Sequence, residues 1–460
     1  MRSFITSINP ATGQVVGKLA VSSADEIDSI VNQAKKAFQQ WRTVSLAKRA
    51  SYIKKFVILL AKYRDEFARL TTDEMGKPIR EAREDVEFEL NFIRWYTDHA
   101  EEAFGEEFLR EDKGAIYKTV YEPWGVCVSI APWNFPVSMA STGIIPQILA
   151  GNTVIFKPSE YTSLTQKKFI DLLNQTGLPH GIVQCAIGAG DVGNMLIESD
   201  IDLVWFTGST KVGQEIYKKC AGKFIKALLE LGGSSPAIVF ADCDFKKTVD
   251  TVFSARFFNC GQVCSSVKRL FVEKPIFDSF IETLIKKVAN IHIGNPAGSI
   301  DVGPLVSQKQ LETLVSQVED AKMKGATVRI GGMKPVGKEF GDGNYYLPTI
   351  LTNITSNMRV YKEEVFGPVL PVVPFTSEEE AVILANDTPY GLTAEFFTSN
   401  QNRIKRIVSQ LHAGGVSINM DIAYAPDCPI GGYKKSGLGR EYGLVGMREM
   451  AQLKYICIAK

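Results

Sequence analysis

The chemistry that this sequence offers is concentrated at one thiol, one carboxylate and one amide. Cys264 sits in Phe257-Phe258-Asn259-Cys260-Gly261-Gln262-Val263-Cys264-Ser265-Ser266, between an aromatic-rich apolar run and a basic strand start at Lys268-Arg269-Leu270-Phe271-Val272. Gly261 lets the backbone approach a partner closely. A thiol at the end of such a loop is placed to attack an electrophile, and a thiolate is the most nucleophilic of the ordinary side chains. The alternative is a small buried hydrophobe, the commoner fate of a free cysteine. Glu230, in Glu230-Leu231-Gly232-Gly233-Ser234, ends an apolar strand beside two glycines. Burial there raises a carboxyl toward neutrality and suits it to act as a base, whereas on an open turn it is a solvated charge. Asn134, in Trp133-Asn134-Phe135-Pro136, offers an amide donor in an apolar frame, fit to bond an oxyanion.

A second group of residues suits a nucleotide. Phe206-Thr207-Gly208-Ser209-Thr210 lies between a strand and the helical run from Lys211 to Cys220. Glycine and hydroxyls at a strand-to-helix turn aim backbone N–H groups and the helix dipole at an anion such as a pyrophosphate, although a plain capped turn has the same composition. Gly188-Ala189-Gly190-Asp191-Val192-Gly193 also matches a G-x-G-x-x-G pattern, which is weak when it stands alone. Lys157 and Glu160, in Phe156-Lys157-Pro158-Ser159-Glu160, end another strand and suit ribose hydroxyls. The charge of Glu160 opposes a 2′-phosphate and so favours NAD over NADP. Glu364 and Phe366, in Glu363-Glu364-Val365-Phe366-Gly367-Pro368, offer a carboxylate for a ribose and an aromatic for a flat ring.

The rest of the composition excludes other classes. The 460 residues suffice for about two or three domains. A formal net charge of +1 gives no field that favours nucleic acid or an anionic membrane. No apolar run reaches the roughly 18 residues of a membrane span, and the N-terminus has no secretory apolar core, which points to the cytoplasm. Eight scattered cysteines are not a disulfide framework. Cys260 and Cys264 are a single C-x3-C with no second pair and no neighbouring histidine, so no metal site is expected. The four histidines, at 99, 180, 292 and 412, lie outside every motif, which disfavours a Cys–His hydrolase.

These groups need strands and helices to position them. Ser23-Ala24-Asp25-Glu26 reads as a capping box, followed by apolar residues at helical spacing up to Trp41. Helical pattern continues over about 45–70 and 81–104. From Thr119 apolar strands alternate with helices, at Val126–Ile130, Thr153–Phe156, Ile182–Ile187 and Leu203–Phe206, which predicts a parallel doubly wound α/β sheet. A second alternation follows Gly232-Gly233, with strands at Ala237–Phe240, Thr327–Ile330, Pro371–Val373 and Gly415–Ile418. The terminal strand around Tyr455–Ile458 and the hairpin-like stretch 107–122 have edges that need partners, which another subunit could supply.

Taken in order, Pro132-Trp133-Asn134-Phe135-Pro136, Lys157-Pro158-Ser159-Glu160, Phe206-Thr207-Gly208-Ser209, Glu230-Leu231-Gly232-Gly233, Gly261-Gln262-Val263-Cys264, Glu364-Val365-Phe366-Gly367-Pro368 and Gly431-Gly432-Tyr433-Lys434-Lys435-Ser436-Gly437 resemble the aldehyde dehydrogenase superfamily over essentially the whole chain. Length and Glu74-Met75-Gly76-Lys77-Pro78-Ile79 look most like the short bacterial succinate-semialdehyde dehydrogenases. The resemblance implies a Rossmann-type cofactor domain (1–106 and 123–232), an α/β catalytic domain (233–428) and a small β oligomerisation arm (107–122 and 444–460) in a homodimer or homotetramer. It implies that Cys264 attacks a small-molecule aldehyde, that Asn134 holds the oxyanion, and that Glu230 activates water against the thioester. It places Trp133, Lys157, Glu160, Gly208, Ser209, Glu364 and Phe366 at NAD, with NADP possible. The substrate pocket departs from the succinate-semialdehyde pattern. The arginine typical of those enzymes is Thr142 at one of its two positions and Phe258 at the other, and the late pocket loop carries Tyr424-Ala425. A substrate carboxylate buried without a cation is costly, so Phe135, Phe258 and Tyr424 predict an apolar tunnel. Two other readings are a true succinate-semialdehyde dehydrogenase with a different carboxylate site and a cofactor-free thiol hydrolase. CoA acylation is a further option, which a retained Glu230 disfavours.

Overall fold

A computed structural model describes residues 3–460; residues 1 and 2, which open the expected first segment, lie outside the described residues. Two sheets dominate. The first has the strands Gly437–Leu438, Lys226–Glu230, Leu203–Thr207, Val126–Ile130, Thr153–Lys157 and Val183–Cys185 in that order. All its pairings are parallel except that of Gly437–Leu438, which returns from the end of the chain to run antiparallel beside Lys226–Glu230. Nearly every residue of the central strands is buried, as sequences apolar on both faces require. The helices Leu46–Lys62 and Ile79–Asp98 cover one face, sharing a core with Cys127, Val154 and Trp205.

The second sheet orders Thr327–Ile330, Thr349–Thr352, Val369–Phe375, Val267–Glu273, Ser235–Val239, Thr393–Phe397 and Gly415–Ile418. Only its first pairing is antiparallel. A third, antiparallel sheet joins Ala451–Ala459, Ala115–Pro123 and Glu107–Glu111. The terminal strand and the hairpin therefore pair with each other within one chain, along nine consecutive residues of the strand Ala451–Ala459. Phe108, Leu453 and Tyr455 remain exposed on this sheet.

Several elements differ from the periodicity. The helical run over 45–70 is two helices, Leu46–Lys62 and Arg64–Met75, separated at Tyr63, whose backbone leaves the helical region. The run over 81–104 is Ile79–Asp98 followed by Ala100–Phe104. The strand at 182–187 shrinks to Val183–Cys185, because it lies at the edge of its sheet and pairs on one side only. The capping box at Ser23 is present in both directions. Among the described residues no helix is long and apolar enough to cross a membrane, no acidic, histidine or cysteine cluster suits a metal ion, and all eight cysteines are free.

The two main sheets meet end to end. In the first, the carboxyl ends of four strands lead into Asn134, Lys157, Ser209 and Glu230. In the second, it is the amino ends that face the same place: Cys264 precedes Val267–Glu273, Gly233 precedes Ser235–Val239, and Phe366 precedes Val369–Phe375. Ligands collect beyond the carboxyl ends of parallel strands, and here that crevice is closed by the second sheet.

Candidate active site

A cavity of about 640 Å³ occupies the crevice. It brings together Cys264, Glu230, Asn134, Trp133, Phe135, Gly208, Ser209, Glu364, Phe366, Phe258 and Tyr424, all of which line it. Lys157 and Glu160 stand apart from this lining. Lys157 Nζ donates to the Pro158 carbonyl at 2.8 Å and to the Gly188 carbonyl at 2.9 Å. Its stem packs against Gly193, where a Cβ would come within 3.5 Å. The G-x-G-x-x-G stretch, which opens the helix Gly190–Glu198, thus lies beside Lys157. Thr142 is also outside the lining. It is buried one turn deeper in the helix Pro136–Ala150 than Ser138 and Met139, which do face the cavity, because the helix runs away from it.

The loop that leads into Cys264 is held by strain and by buried bonds. Asn259, Cys260 and Gly261 are consecutive residues with φ of +50°, +57° and +69°. At Gly261 a Cβ would lie 2.4 Å from the Gly367 carbonyl oxygen, so the close approach suggested by its sequence setting is real. Two non-glycine residues in the left-handed region persist only where surroundings over-determine them. Those surroundings are specific. Glu81 accepts the Asn259 backbone N–H at 2.9 Å, and Asn259 Nδ2 donates to the Asn134 carbonyl at 3.1 Å. Arg256, fully buried, donates to Ser266 Oγ, to the Val267 and Val365 carbonyls and to the Gly367 carbonyl. It thereby ties the Cys264 loop to the segment that carries Glu364 and Phe366. Cys260 packs into the core beside the second sheet, and burial with nearby Glu81 pushes its thiol up.

Burial pushes the Cys264 thiol up to about 11. Lys268 opposes this, while Glu364, Glu230 and Glu441 add to it. At rest the sulfur is therefore protonated. Asn134 Nδ2 donates to the Gln262 carbonyl at 3.0 Å, which leaves its second amide hydrogen free of that bond. Glu230 is buried with Oε1 unpaired, and burial and Glu441 hold its carboxyl well above the usual range. Glu441, held up at about 7 by burial, also lines the cavity and accepts from Thr207 Oγ1 at 3.4 Å. Tyr424 donates to Ser265 Oγ at 2.6 Å, so it rests directly on the residue after Cys264.

The residues on the first sheet's side fit a dinucleotide. Ser209 caps the helix Thr210–Gly222, giving an N-terminus that opens into the cavity. Trp133 and Phe366 meet edge to face with centroids 5.5 Å apart, and Glu364 stands beside them.

Residues 2–456 match the model of the Aldehyde dehydrogenase family. The chain belongs to the aldehyde dehydrogenase family. It is 37% identical to a betaine aldehyde dehydrogenase of Bacillus subtilis, over 98% of this chain and 93% of the relative. It is 35% identical to an NADP(+) succinate-semialdehyde dehydrogenase of Escherichia coli, with the same coverage. The crystal structure of a betaine aldehyde dehydrogenase from Staphylococcus aureus in complex with NAD+ superposes with a TM-score of 0.96 at 34% identity, covering 99% of this chain and 91% of that one. Membership makes the protein an NAD(P)-dependent oxidoreductase with the aldehyde dehydrogenase fold.

Sequence patterns missed three cavity residues that matter. Glu441 lies beyond the last motif, and only the return of the chain to pair Gly437 with Glu230 brings it in. Asp85 and Asp421 arrive from the helix Ile79–Asp98 and from the loop after Gly415–Ile418. No local signal marks any of them.

The Gly-Gly turn sets a sharp geometric limit. A Cβ at Gly233 would lie 2.7 Å from the Cys264 carbonyl oxygen and 3.1 Å from Leu392 Cβ. Gly233→Ala should therefore displace the nucleophile and lower kcat/KM by about a hundredfold, measured as NADH formation, with overall secondary structure retained by circular dichroism.

Proposed function

We propose that the protein oxidises an aldehyde without a carboxylate tail to its acid, with NAD(P)+ as acceptor, through a thiohemiacetal and a thioester on Cys264. The observation that carries the substrate reading is the cavity wall. Among the described residues it contains no arginine, lysine or histidine, but holds Phe135, Phe258 and Tyr424 with the carboxylates Asp85 and Asp421. Phe135 and Phe258 stack with centroids 6.2 Å apart. Lys77, behind this wall, lies 3.7 Å from the Phe135 ring centroid and is paired with Asp85. A substrate carboxylate would enter an acidic, aromatic space whose lining, among the described residues, offers it no cation, which is unfavourable.

The residues take their roles from their places. Cys264 Sγ attacks the carbonyl carbon, and its proton passes to a nearby base as the C–S bond forms. The oxyanion that develops needs preorganised donors, and Asn134 Nδ2 is the side-chain donor within this frame. Bound NAD(P)+ supplies the acceptor for the hydride that leaves the thiohemiacetal carbon. Ser209 and the helix N-terminus suit its pyrophosphate, Glu364 the ribose nearer the thiol, Trp133 and Phe366 the flat ring, and Lys157 and Glu160 the distal ribose. Glu230 then takes a proton from water, which attacks the thioester and releases the acid and the thiol. A carboxyl kept above its usual range by burial is matched to that task near neutral pH. The exposed Phe108, Leu453 and Tyr455 support the three-stranded sheet as the surface on which copies associate.

Two outcomes test this. The kcat/KM for hexanal should exceed that for succinate semialdehyde by at least about tenfold, well within the roughly 3–5 kcal/mol that an uncompensated buried charge costs; the reverse order overturns the pocket reading. The Glu441→Gln variant removes a negative neighbour that raises Glu230. Glu230 then loses its proton at lower pH, so the rising limb of kcat against pH should move to lower pH in steady-state profiles.

A further inference from the structure

A buried lysine with no part in the steps above lies beneath the nucleophile. Lys268 is the second residue of the strand Val267–Glu273 and is fully buried. Its Nζ donates to the Cys264 carbonyl at 2.7 Å, to the Gly233 carbonyl at 3.0 Å and to Glu364 Oε1 at 2.6 Å. An ammonium has three hydrogens and no acceptor, so all three are used. The three acceptors come from three separate stretches: the nucleophile loop, the Gly-Gly turn and the segment facing the cofactor side. Glu364 is itself held by the Gly233 backbone N–H at 3.1 Å, so the lysine and the carboxylate clamp the same turn. The Phe366 ring centroid lies 5.3 Å from the same Nζ.

We propose that Lys268 is a positioning residue that couples the cofactor side of the cavity to the nucleophile, seating Cys264 through its carbonyl and sharing its charge between the thiol and Glu364. A buried ammonium is tolerated only with close, well-placed acceptors, and removing one of them changes what the others feel. The charged groups that face Cys264 are Lys268 alone on the favourable side and Glu364, Glu230 and Glu441 on the other, with the Tyr424 hydroxyl bonded to the neighbouring Ser265. Glu364, 2.6 Å from Nζ, cancels much of the lysine's field at the sulfur. When Glu364 turns to a ribose, the ammonium is left to the thiolate. Cofactor occupancy thus favours the reactive form of the thiol without any movement of Cys264. This rests on Cys264 as the nucleophile and Glu364 on the cofactor side, as proposed above.

The test is alkylation of Cys264 by iodoacetamide in the full chain without cofactor, at fixed pH below the thiol midpoint and then across pH, with the labelled residue located by peptide mass mapping. The thiolate displaces iodide, so the rate follows the thiolate fraction. In K268M the rate should fall about tenfold and in E364Q rise about tenfold, each equal to about one pH unit in the midpoint. K268R, which keeps the charge, should stay near the parent rate. KM for NAD+ should rise in both K268M and E364Q, since each breaks the clamp. Label on Cys264 at the parent rate in E364Q and in a folded K268M overturns the proposal for Lys268 alone. If K268M does not fold, E364Q decides. Label elsewhere than Cys264 overturns the nucleophile assignment and this proposal with it.

Discussion

The site depends on how closely the chain can approach itself at Gly232-Gly233. A Cβ at Gly232 would lie 2.4 Å from Glu364 Oε2, and one at Gly233 would lie 2.7 Å from the Cys264 carbonyl oxygen. Only glycine permits both contacts. The same turn ends the strand Lys226–Glu230 of one sheet and leads into Ser235–Val239 of the other. One short segment therefore delivers Glu230, anchors Glu364 through a backbone N–H, and gives the Cys264 loop a surface to rest on. The two sheets meet with the carboxyl ends of one against the amino ends of the other because the chain passes straight through this turn.

Electrostatics then divides the cavity. Glu230 and Glu441 share a buried region near the thiol, and each is pushed above its ordinary range by burial, with Glu441 adding to the shift of Glu230. Like charges so placed cannot both ionise freely near neutral pH. Lys268, the cation beside Cys264, is bonded to Glu364, and Lys77, behind the aromatic wall, is paired with Asp85. A substrate entering from that side meets aromatic rings and carboxylates. The thiol is protonated at rest, and the arrangement makes its activation depend on what occupies the neighbouring groups.

Much of this was legible in the sequence, and the limits have physical causes. Cys264, Glu230, Asn134 and the Ser209 turn sit in local patterns: Glu230 ends a strand, Asn134 and Ser209 follow strand ends, and Cys264 lies just before a strand, each with a characteristic turn beside it. The alternation of strands and helices gave the α/β class. Glu441 was not legible, because it reaches the cavity only through the antiparallel return of Gly437–Leu438. Lys268 read as the start of a basic strand, and nothing in Lys268-Arg269 distinguishes the buried ammonium bonded to Glu364 from a solvated one. The family resemblance puts Thr142 at the substrate, but the helix carries it a turn too deep. The left-handed backbone at Asn259 and Gly261 suits their residue types, whereas at Cys260, between them, residue type gives no signal of it.

The central claim is that the aldehyde carbon becomes covalently bound to Cys264 and is released by water activated at Glu230. The direct measurement is a single turnover of the Glu230→Gln protein with hexanal and NAD+, quenched in acid and mapped by peptide mass spectrometry. The mechanism predicts one acyl group per chain on the peptide that holds Cys264, formed as fast as NADH appears and lost slowly. NADH formation with Cys264 unmodified at every time point, or an acyl group on another residue, would contradict it.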